Sequence, residues 1–271
     1  MNNLERKMVD VLKDLKENHH VCGIKAEFEA EGTRLEEAMR LKEVITVAGL
    51  GLTLKIGGCE AIRDMYEARI LGVDRIVAPM VETAYALKKY LKAIEKVFPP
   101  EELEHIDIAV NIETMEGCRN FDAMLALPEI RILDGVVMGR VDLTGSMGLG
   151  RDDINTDVVF DITNELFAKA KGKGLECAVG GGVGKEALPF FHKLKPGLLD
   201  RYETRKLIFQ CPDALHDEPE KGILKAVGFE LLWLKNKRDF YGMIFDEDKQ
   251  RIVMLESRYK QLIKEAGGKY E

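Results

Sequence analysis

The sequence predicts an α/β fold: a (β/α)8 barrel of the TIM type, in a modified or incomplete form, with extra C-terminal helices. Seven short, β-branched apolar runs alternate with segments of helical periodicity up to residue 209. Several of these runs end in a charged residue where the loop begins, and 271 residues is an ordinary length for such a barrel. An open sheet is the structural alternative, because counting strands does not show whether the sheet closes.

The predicted strands lie at residues 22–32, 52–58, 75–80, 106–114, 133–143, 175–179 and 200–209. Eight strands close a barrel, so one is missing. We expect it within residues 228–233 or 241–245, or it has been lost before the first strand. The sequence shows no linker, which predicts a single domain over residues 1–271 with a helical extension from about residue 212.

Composition excludes several classes of protein. The net charge is −7 and there is no dense basic stripe, which argues against nucleic acid as a partner. No apolar run reaches the ~18 residues of a membrane span, and the N-terminus lacks the apolar segment of a signal peptide, so we expect a cytoplasmic protein. The five cysteines form no C-x-x-C pair, which favours reduced thiols and argues against zinc.

Two predicted strands end in a carboxylate at the same edge of the sheet. One strand gives way to loop at Glu113 and the next at Asp142, with a helix between them. Strand, helix and strand make a βαβ unit whose strands are parallel and adjacent. The carboxyl ends of such strands hold the sites of α/β folds, and Mg²⁺ often takes only one or two protein carboxylates. The alternative is that Asp142 caps the next helix and Glu113 faces solvent.

Charged residues also alternate along the first predicted strand. Lys25, Glu27 and Glu29 share one face, which meets water in a surface strand but faces the interior in a barrel. In the second strand, Lys55 lies within an apolar run and is costly to bury without an anion nearby. Either it pairs with Glu27 or Glu29, or it contacts an anionic substrate.

Three segments carry a resemblance to a known family. The segments 112–117 (IETMEG) and 139–148 (GRVDLTGSMG) resemble motifs of the HpcH/HpaI aldolase and citrate lyase β-subunit family, in the phosphoenolpyruvate/pyruvate-binding barrel superfamily. The segment 78–83 (APMVET) is similar to that family's strand before the first carboxylate. The resemblance runs from about Lys25 to Gly184.

The resemblance implies that Glu113 and Asp142 bind a divalent metal, Mg²⁺ or Mn²⁺. The metal of such lyases holds substrate oxygens and stabilises an enolate while a carbon–carbon bond breaks or forms. The family usually has an arginine where this chain has Lys55, and lysine lacks the bidentate fork. Arg140, expected on the same strand face as Asp142, restores a guanidinium to the site or pairs with Glu27 or Glu29.

We therefore expect the catalytic residues Lys55, Arg140 and Glu27, and the substrate-binding residues Asn111, Glu29 and Gly181. The function that follows is a metal-dependent carbon–carbon lyase acting on a small oxo acid or acyl thioester. Phosphoenolpyruvate-type phosphoryl transfer or hydrolysis is one alternative, and a non-catalytic ligand-binding barrel is another. The expected partners are a small anionic substrate and further copies of the chain, because the apolar stripes of the tail exceed what one barrel helix needs.

Overall fold

The computed structural model describes residues 1–269, and its central feature is one closed sheet of eight strands in chain order. Each neighbouring pair from the first strand to the seventh is parallel. The eighth strand is antiparallel to both the seventh and the first. The predicted barrel is thus confirmed, in a modified form, and the open sheet is excluded.

The strands are β1 (Val21–Glu27), β2 (Gly51–Lys55), β3 (Arg75–Ala78), β4 (Asp107–Ile112), β5 (Gly135–Gly139), β6 (Glu176–Gly180), β7 (Arg201–Glu203) and β8 (Leu207–Gln210). The α-helices are α1 (Asn3–His19), α2 (Leu35–Ala48), α3 (Ile62–Leu71), α4 (Ala84–Val97), α5 (Pro100–Leu103), α6 (Met115–Arg119), α7 (Phe121–Leu125), α8 (Arg140–Ser146), α9 (Asp157–Lys171), α10 (Leu188–Lys193) and α11 (Pro219–Glu265). Short 3-10 turns lie at Pro128–Ile132, Arg151–Asp153, Lys185–Ala187 and Asp213–Leu215.

The last predicted strand, residues 200–209, is in fact a hairpin. β7 ends at Glu203, the chain turns through residues 204–206, and β8 returns beside β7. Thr204 holds this turn, since its hydroxyl accepts a hydrogen bond from Leu207 N at 3.1 Å. The hairpin supplies the eighth strand.

The other positions expected for the missing strand are therefore wrong. Residues 228–233 and 241–245 both lie within α11, a continuous helix of 47 residues. Their apolar residues follow helical spacing over too long a run for a short strand. The helical extension predicted from about residue 212 begins at Pro219, after the turn at Asp213–Leu215.

Three aspartates fasten the strands in pairs at the amino ends. Asp74, Asp134 and Asp200 directly precede β3, β5 and β7. The carboxylate of each accepts a hydrogen bond of 2.7 Å from a backbone N–H of the preceding strand, namely from Leu52, Ile108 and Cys177. The same aspartates donate their own N–H groups to the carbonyls of those residues. This repeated two-bond link fixes the register of alternate strand pairs, and so fixes which residues reach the opposite edge.

The core lies between the strands and the surrounding helices. α4 shows how the sequence forms it: Leu87, Leu91 and Ile94 recur at helical spacing and are buried, while its lysines face outward. None of the helices in the described part of the chain combines the length and apolar character that a membrane crossing requires. The chain contacts divide into a unit Met1–Glu230, which holds the barrel, and a second unit that starts at Leu231. Whether residues 1–271 behave as one domain stays a prediction.

Candidate active site at the barrel mouth

A cavity of about 690 Å³ opens at the carboxyl ends of the strands, and we call it the mouth cavity. Seven of the eight predicted site residues line it: Glu27, Glu29, Lys55, Asn111, Glu113, Asp142 and Gly181. They come from the ends of β1, β2 and β4, from the loops after β1 and β6, and from the first turn of α8. The barrel edge thus gathers residues that lie up to 154 positions apart in the sequence, from Glu27 to Gly181.

Glu113, the first residue after β4, lies in the wall of this cavity and is almost fully buried. Its carboxylate accepts hydrogen bonds from Met80 N at 3.0 Å and from Asn111 Nδ2 at 2.9 Å. Burial raises the pKa of the Glu113 carboxyl, although these two hydrogen bonds and the charge of Lys55 oppose the rise. The negative charge of Asp142 raises the pKa further. A buried carboxylate held in this way is ready to meet a positive charge.

Gly139, the last residue of β5, makes room for that carboxylate. A Cβ placed on Gly139 would lie 2.3 Å from Glu113 Oε2 and 2.9 Å from Glu113 Cβ. Any side chain at this position must therefore displace Glu113. Position 139 is therefore a glycine because Glu113, which directly follows the neighbouring strand β4, lies too close for any side chain there.

Asp142 reaches the mouth cavity from the first turn of α8, not from a strand. β5 ends at Gly139, which is also the N-cap of α8, so the strand predicted over residues 133–143 is too long. Asp142 is therefore not the helix cap that was its alternative role. Its side chain is exposed, and the carboxylate has no hydrogen-bond or ion-pair partner among residues 1–269.

Arg140 does not point into the mouth cavity, and the expectation that it does is wrong. Because the helix starts at Arg140, the two-residue alternation of the strand no longer relates it to Asp142. Its guanidinium is fully buried and donates to Gly180 O at 3.3 Å, Gly181 O at 3.0 Å and Asn155 Oδ1 at 2.6 Å. It also lies over the ring of Phe190, 5.0 Å from the centroid. Arg140 holds the glycine loop after β6.

Gly181 belongs to that loop and lines the mouth cavity with its backbone. Its φ is +77°, and a Cβ would lie 2.7 Å from Val141 N and 2.8 Å from Arg140 N. Only glycine fits both the left-handed conformation and this close approach. Gly181 therefore serves both a turn that needs a positive φ and a close approach to the backbone of Arg140 and Val141.

Lys55 forms the internal ion pairs that were one of its two expected roles. Its Nζ lies 2.9 Å from Glu29 Oε2 and 3.7 Å from Glu27 Oε1. Burial alone would lower the pKa of Lys55, but the charges of Glu27, Glu29 and Glu113 outweigh burial and raise it. Lys55 therefore stays protonated at neutral pH, with much of its charge already balanced.

A second lysine and its partners lie deeper in the wall. Lys25 Nζ is 3.3 Å from both Glu27 Oε1 and Glu203 Oε2, and Arg205 lies 3.6 Å from Glu27 Oε2. Lys25 and Glu27 thus face the barrel interior, as their alternation predicts for a barrel. Glu203 and Arg205 were not predicted as site residues. The charged residues Glu203, Arg205 and Lys206, at the centre of the last predicted strand, could have indicated a turn at that point.

Carboxylates outnumber basic groups around the mouth cavity. The lining includes seven carboxylates (Glu27, Glu29, Glu113, Asp142, Glu186, Glu203, Glu230) and four basic residues (Lys25, Lys55, Arg151, Arg205). Three of those basic residues form ion pairs with lining carboxylates. Arg151 alone among the four has no carboxylate within ion-pair distance in the part of the chain that the structure describes. The cavity is therefore suited to a cation, and it offers one unpaired basic group.

Within residues 1–269, no group of three or more His, Cys, Asp or Glu side chains is arranged to hold a metal ion. A site for Mg²⁺ does not need three, because water and substrate oxygens complete its octahedral shell. Glu113 and Asp142 remain the candidate pair.

Part of the sequence is similar to a known protein family. Residues 58–179 match the family model described as HpcH/HpaI aldolase/citrate lyase. No curated protein matches the sequence.

Several solved structures share the barrel. An HpcH/HpaI aldolase from Desulfitobacterium hafniense is 14% identical, with a TM-score of 0.58 over 72% of this chain and 81% of its own. A citrate synthase, SbnG, is 16% identical, with a TM-score of 0.59 over 86% and 90%. An HpcH/HpaI aldolase/citrate lyase family protein from Burkholderia cenocepacia is 16% identical, with a TM-score of 0.57 over 75% and 93%. At these identities the likeness shows a shared fold, and together with the family match it confirms the resemblance of this chain to the HpcH/HpaI aldolase/citrate lyase family.

Proposed function

We propose that this protein is a divalent-metal-dependent carbon–carbon lyase that acts through an enolate on a small oxo acid or an acyl thioester. The observation that carries the proposal is the presence of Glu113 and Asp142 in one cavity, Glu113 directly after β4 and Asp142 in the first turn of the helix that follows the adjacent strand β5. The family match over residues 58–179 supports a lyase-type function. The metal and the substrate class are the further steps of the proposal.

The residues present fit a hard divalent cation. Glu113 is buried, and the charge of Asp142 makes its ionised form less favourable. A cation between them removes this repulsion, and oxygen donors suit Mg²⁺ or Mn²⁺ better than zinc. Asn111 and Met80 N orient the Glu113 carboxylate from behind, as supporting hydrogen bonds do in metal sites. Glu113 and Asp142 are thus the proposed ligands.

When bound, the metal would polarise a substrate carbonyl and stabilise negative charge on its oxygen. The chain's own residues supply the rest of the environment. Lys55 holds its proton at Nζ and presents a positive charge beside Glu113, where it favours negative charge on the substrate. Glu27 and Glu29 fix that ammonium in place. The backbone of Gly181 forms part of the same cavity wall.

Arg151 is the proposed contact for an anionic group of the substrate. Lys55 is balanced by two glutamates and Arg140 is buried away from the cavity, so neither offers the substrate an unpaired cation. Arg151 is exposed, lines the cavity and follows α8, the helix that carries Asp142. A single guanidinium binds a carboxylate bidentately. This favours a substrate with one anionic group beyond those that the metal holds.

The ion pairs of Lys55 also favour one alternative, a barrel that binds a ligand without turnover. Phosphoryl transfer gains no such support, because a phosphate-rich substrate would meet more carboxylates than basic groups. Turnover separates these possibilities, so the test needs both binding and activity.

The test is titration calorimetry with Mn²⁺ on the wild type, Glu113→Gln and Asp142→Asn, followed by assays with a panel of oxo acids and acyl thioesters. Both variants are expected to lose metal binding while keeping the fold, because the amides retain shape but not charge. Glu186→Gln is the matched control, since it removes an exposed carboxylate of the same cavity wall and should bind normally. Unchanged affinity in both site variants would overturn the metal site, and binding without cleavage of any substrate would favour the non-catalytic barrel.

A further inference from the structure

The second unit of the chain carries an exposed apolar stripe that the proposed function does not use. Within α11, the residues at 231, 234, 238, 241, 245, 248, 252 and 255 follow one another at alternating intervals of three and four. We call these eight positions the seam. This interval is the 3.5-residue repeat of coiled coils, whose a and d positions face a partner helix.

The seam is largely apolar, and five of its six apolar or aromatic residues are exposed to solvent, while Tyr241 is half-buried. Six of its eight residues are apolar or aromatic, and among them Leu231, Leu234 and Leu255 have 52%, 52% and 51% of their surface exposed. Phe245 and Ile252 are 67% and 54% exposed. Exposed apolar residues scattered singly are ordinary, but a continuous row of them usually marks a contact surface. A partner helix with the same repeat would cover the row.

The two remaining seam residues carry opposite charges. Arg238 has only an exposed ion pair with its neighbour Asp239, which contributes little, and Asp248 is exposed. In a parallel pair of identical helices, each would face its own copy and repel it. In an antiparallel pair, an a position of one helix meets a d position of the other. Arg238 of each helix can then lie opposite Asp248 of its partner, which gives two equivalent contacts.

In this register, all the remaining layers of the seam are apolar. When Arg238 lies opposite Asp248, Tyr241 lies opposite Phe245, Leu234 opposite Ile252, and Leu231 opposite Leu255, because each pair sums to the same position number. The order of residues along the seam is therefore self-complementary under a two-fold axis, as an isologous interface requires. The flanking residues Lys235 and Lys249 meet at the rim, where water and salt screen them.

We propose that the seam pairs with the seam of a second copy of this chain, as an antiparallel two-stranded coiled coil with Arg238 opposite Asp248. Self-complementarity is what selects a second copy over another protein. The paired segment of 25 residues, 231–255, is about 37 Å long, enough for three and a half heptads. This assembly does not depend on the chemistry at the barrel mouth.

The experiment is sedimentation velocity on the full chain at micromolar concentration, comparing Leu255→Lys with Met254→Lys. Both positions are exposed, at 51% and 59%, and both variants add the same charge to the same helix, but only Leu255 belongs to the seam. The wild type and Met254→Lys are expected to sediment as two-chain species, and Leu255→Lys as a single chain with unchanged helix content. A single-chain wild type, or equal behaviour of the two variants, would overturn the proposal.

Charge reversal tests the register. Arg238→Asp and Asp248→Arg should each weaken association at least tenfold, because each sets like charges against one another within the seam. The double variant should recover most of the loss, because it restores opposite charges in both halves. Failure of the double variant to recover would overturn the antiparallel register even if Leu255→Lys dissociates the assembly.

Discussion

Both ends of the barrel carry charged residues at strand termini. The two ends differ in how well positive and negative charges balance, and the charges at the mouth surround an open cavity. At the amino ends, Arg75, Asp107, Glu176 and Arg201 are the first residues of β3, β4, β6 and β7, and we call them the basal cluster. Arg75 donates to Asp107 at 2.9 Å and also to Glu176, and Arg201 contacts Glu176 at 3.1 Å. Two positive and two negative groups thus satisfy one another.

The mouth has seven carboxylates against four basic groups around a cavity of about 690 Å³. Glu113 has a raised pKa there, and Arg151 has no carboxylate partner among the described residues. A balanced, closed cluster stabilises the fold, whereas an unbalanced, open one leaves charge for a ligand. The comparison predicts that substitutions at the base change stability and that substitutions at the mouth change chemistry.

The largest effect on stability is expected at Arg75. Arg75→Met removes a buried guanidinium and leaves Arg201 as the remaining cation beside Asp107 and Glu176, both of which are partly exposed. It should lower the free energy of unfolding by about 3 kcal/mol, the low end of the range for breaking a buried ion pair. Urea denaturation measures the loss. Arg69→Met is the control, because Arg69 binds Glu102 with two nitrogens but at the exposed surface, and should change stability little. Equal losses in the two variants would contradict a structural role for the base.

Lys55 and Arg140 sharpen the comparison at the mouth, because only Lys55 faces the cavity. Lys55→Met should lower kcat/KM by a factor equivalent to about 3 kcal/mol in the transition state, through loss of a charge beside the substrate. Arg140→Met should instead lower stability by about 2 kcal/mol, because it leaves the buried carbonyls of Gly180 and Gly181 unpaired. Kinetics and urea denaturation on both variants separate the two roles. A kinetic loss in Arg140→Met without loss of stability would return Arg140 to the site.

The smallest effect concerns pH and Glu27. Burial would raise the pKa of Glu27, but Lys25, Lys55 and Arg205 outweigh burial and lower the pKa below its usual 4.5. The folded state therefore favours the charged form, so Glu27 contributes stability above its unfolded pKa and loses that contribution as pH falls through its folded pKa. Glu27→Gln should cost about 2 kcal/mol at neutral pH and progressively less as the solution is acidified. A stability difference that stays constant from neutral to strongly acid pH would show that the charge of Glu27 is not responsible.

The sequence predicted the barrel and the carboxylate pair well, for a physical reason. Buried parallel strands are short apolar runs, and their carboxyl ends must meet at one edge, so strand order alone brings Glu113 and Asp142 to the same cavity, although Asp142 lies in a helix and not in the predicted strand. The alternation of Lys25 with Glu27 likewise predicted an interior face. These inferences need only local pattern and topology.

Inferences that depended on where an element ends were less successful. Arg140 was placed by extending strand periodicity one residue past Gly139, into the first turn of a helix. The hairpin after Glu203 was missed because its turn, Thr204-Arg205-Lys206, has no glycine, asparagine or proline to mark it. Arg151 has no local motif, and only the folded chain brings it to the mouth cavity.

Because the eighth strand is reversed, the start of α11 must cover the distance from the base of the barrel to its mouth. Because β8 runs back toward the base, the chain leaves the sheet there, where Gly222 packs close to Phe209. The helix then climbs from Pro219 to Glu230, a rise of about 17 Å, and by Val227 and Glu230 it has reached the wall of the mouth cavity. A single inserted residue in this stretch would rotate Glu230 by about 100° about the helix axis and take it off the wall. The number of residues in this stretch therefore decides which face of the helix meets the mouth cavity.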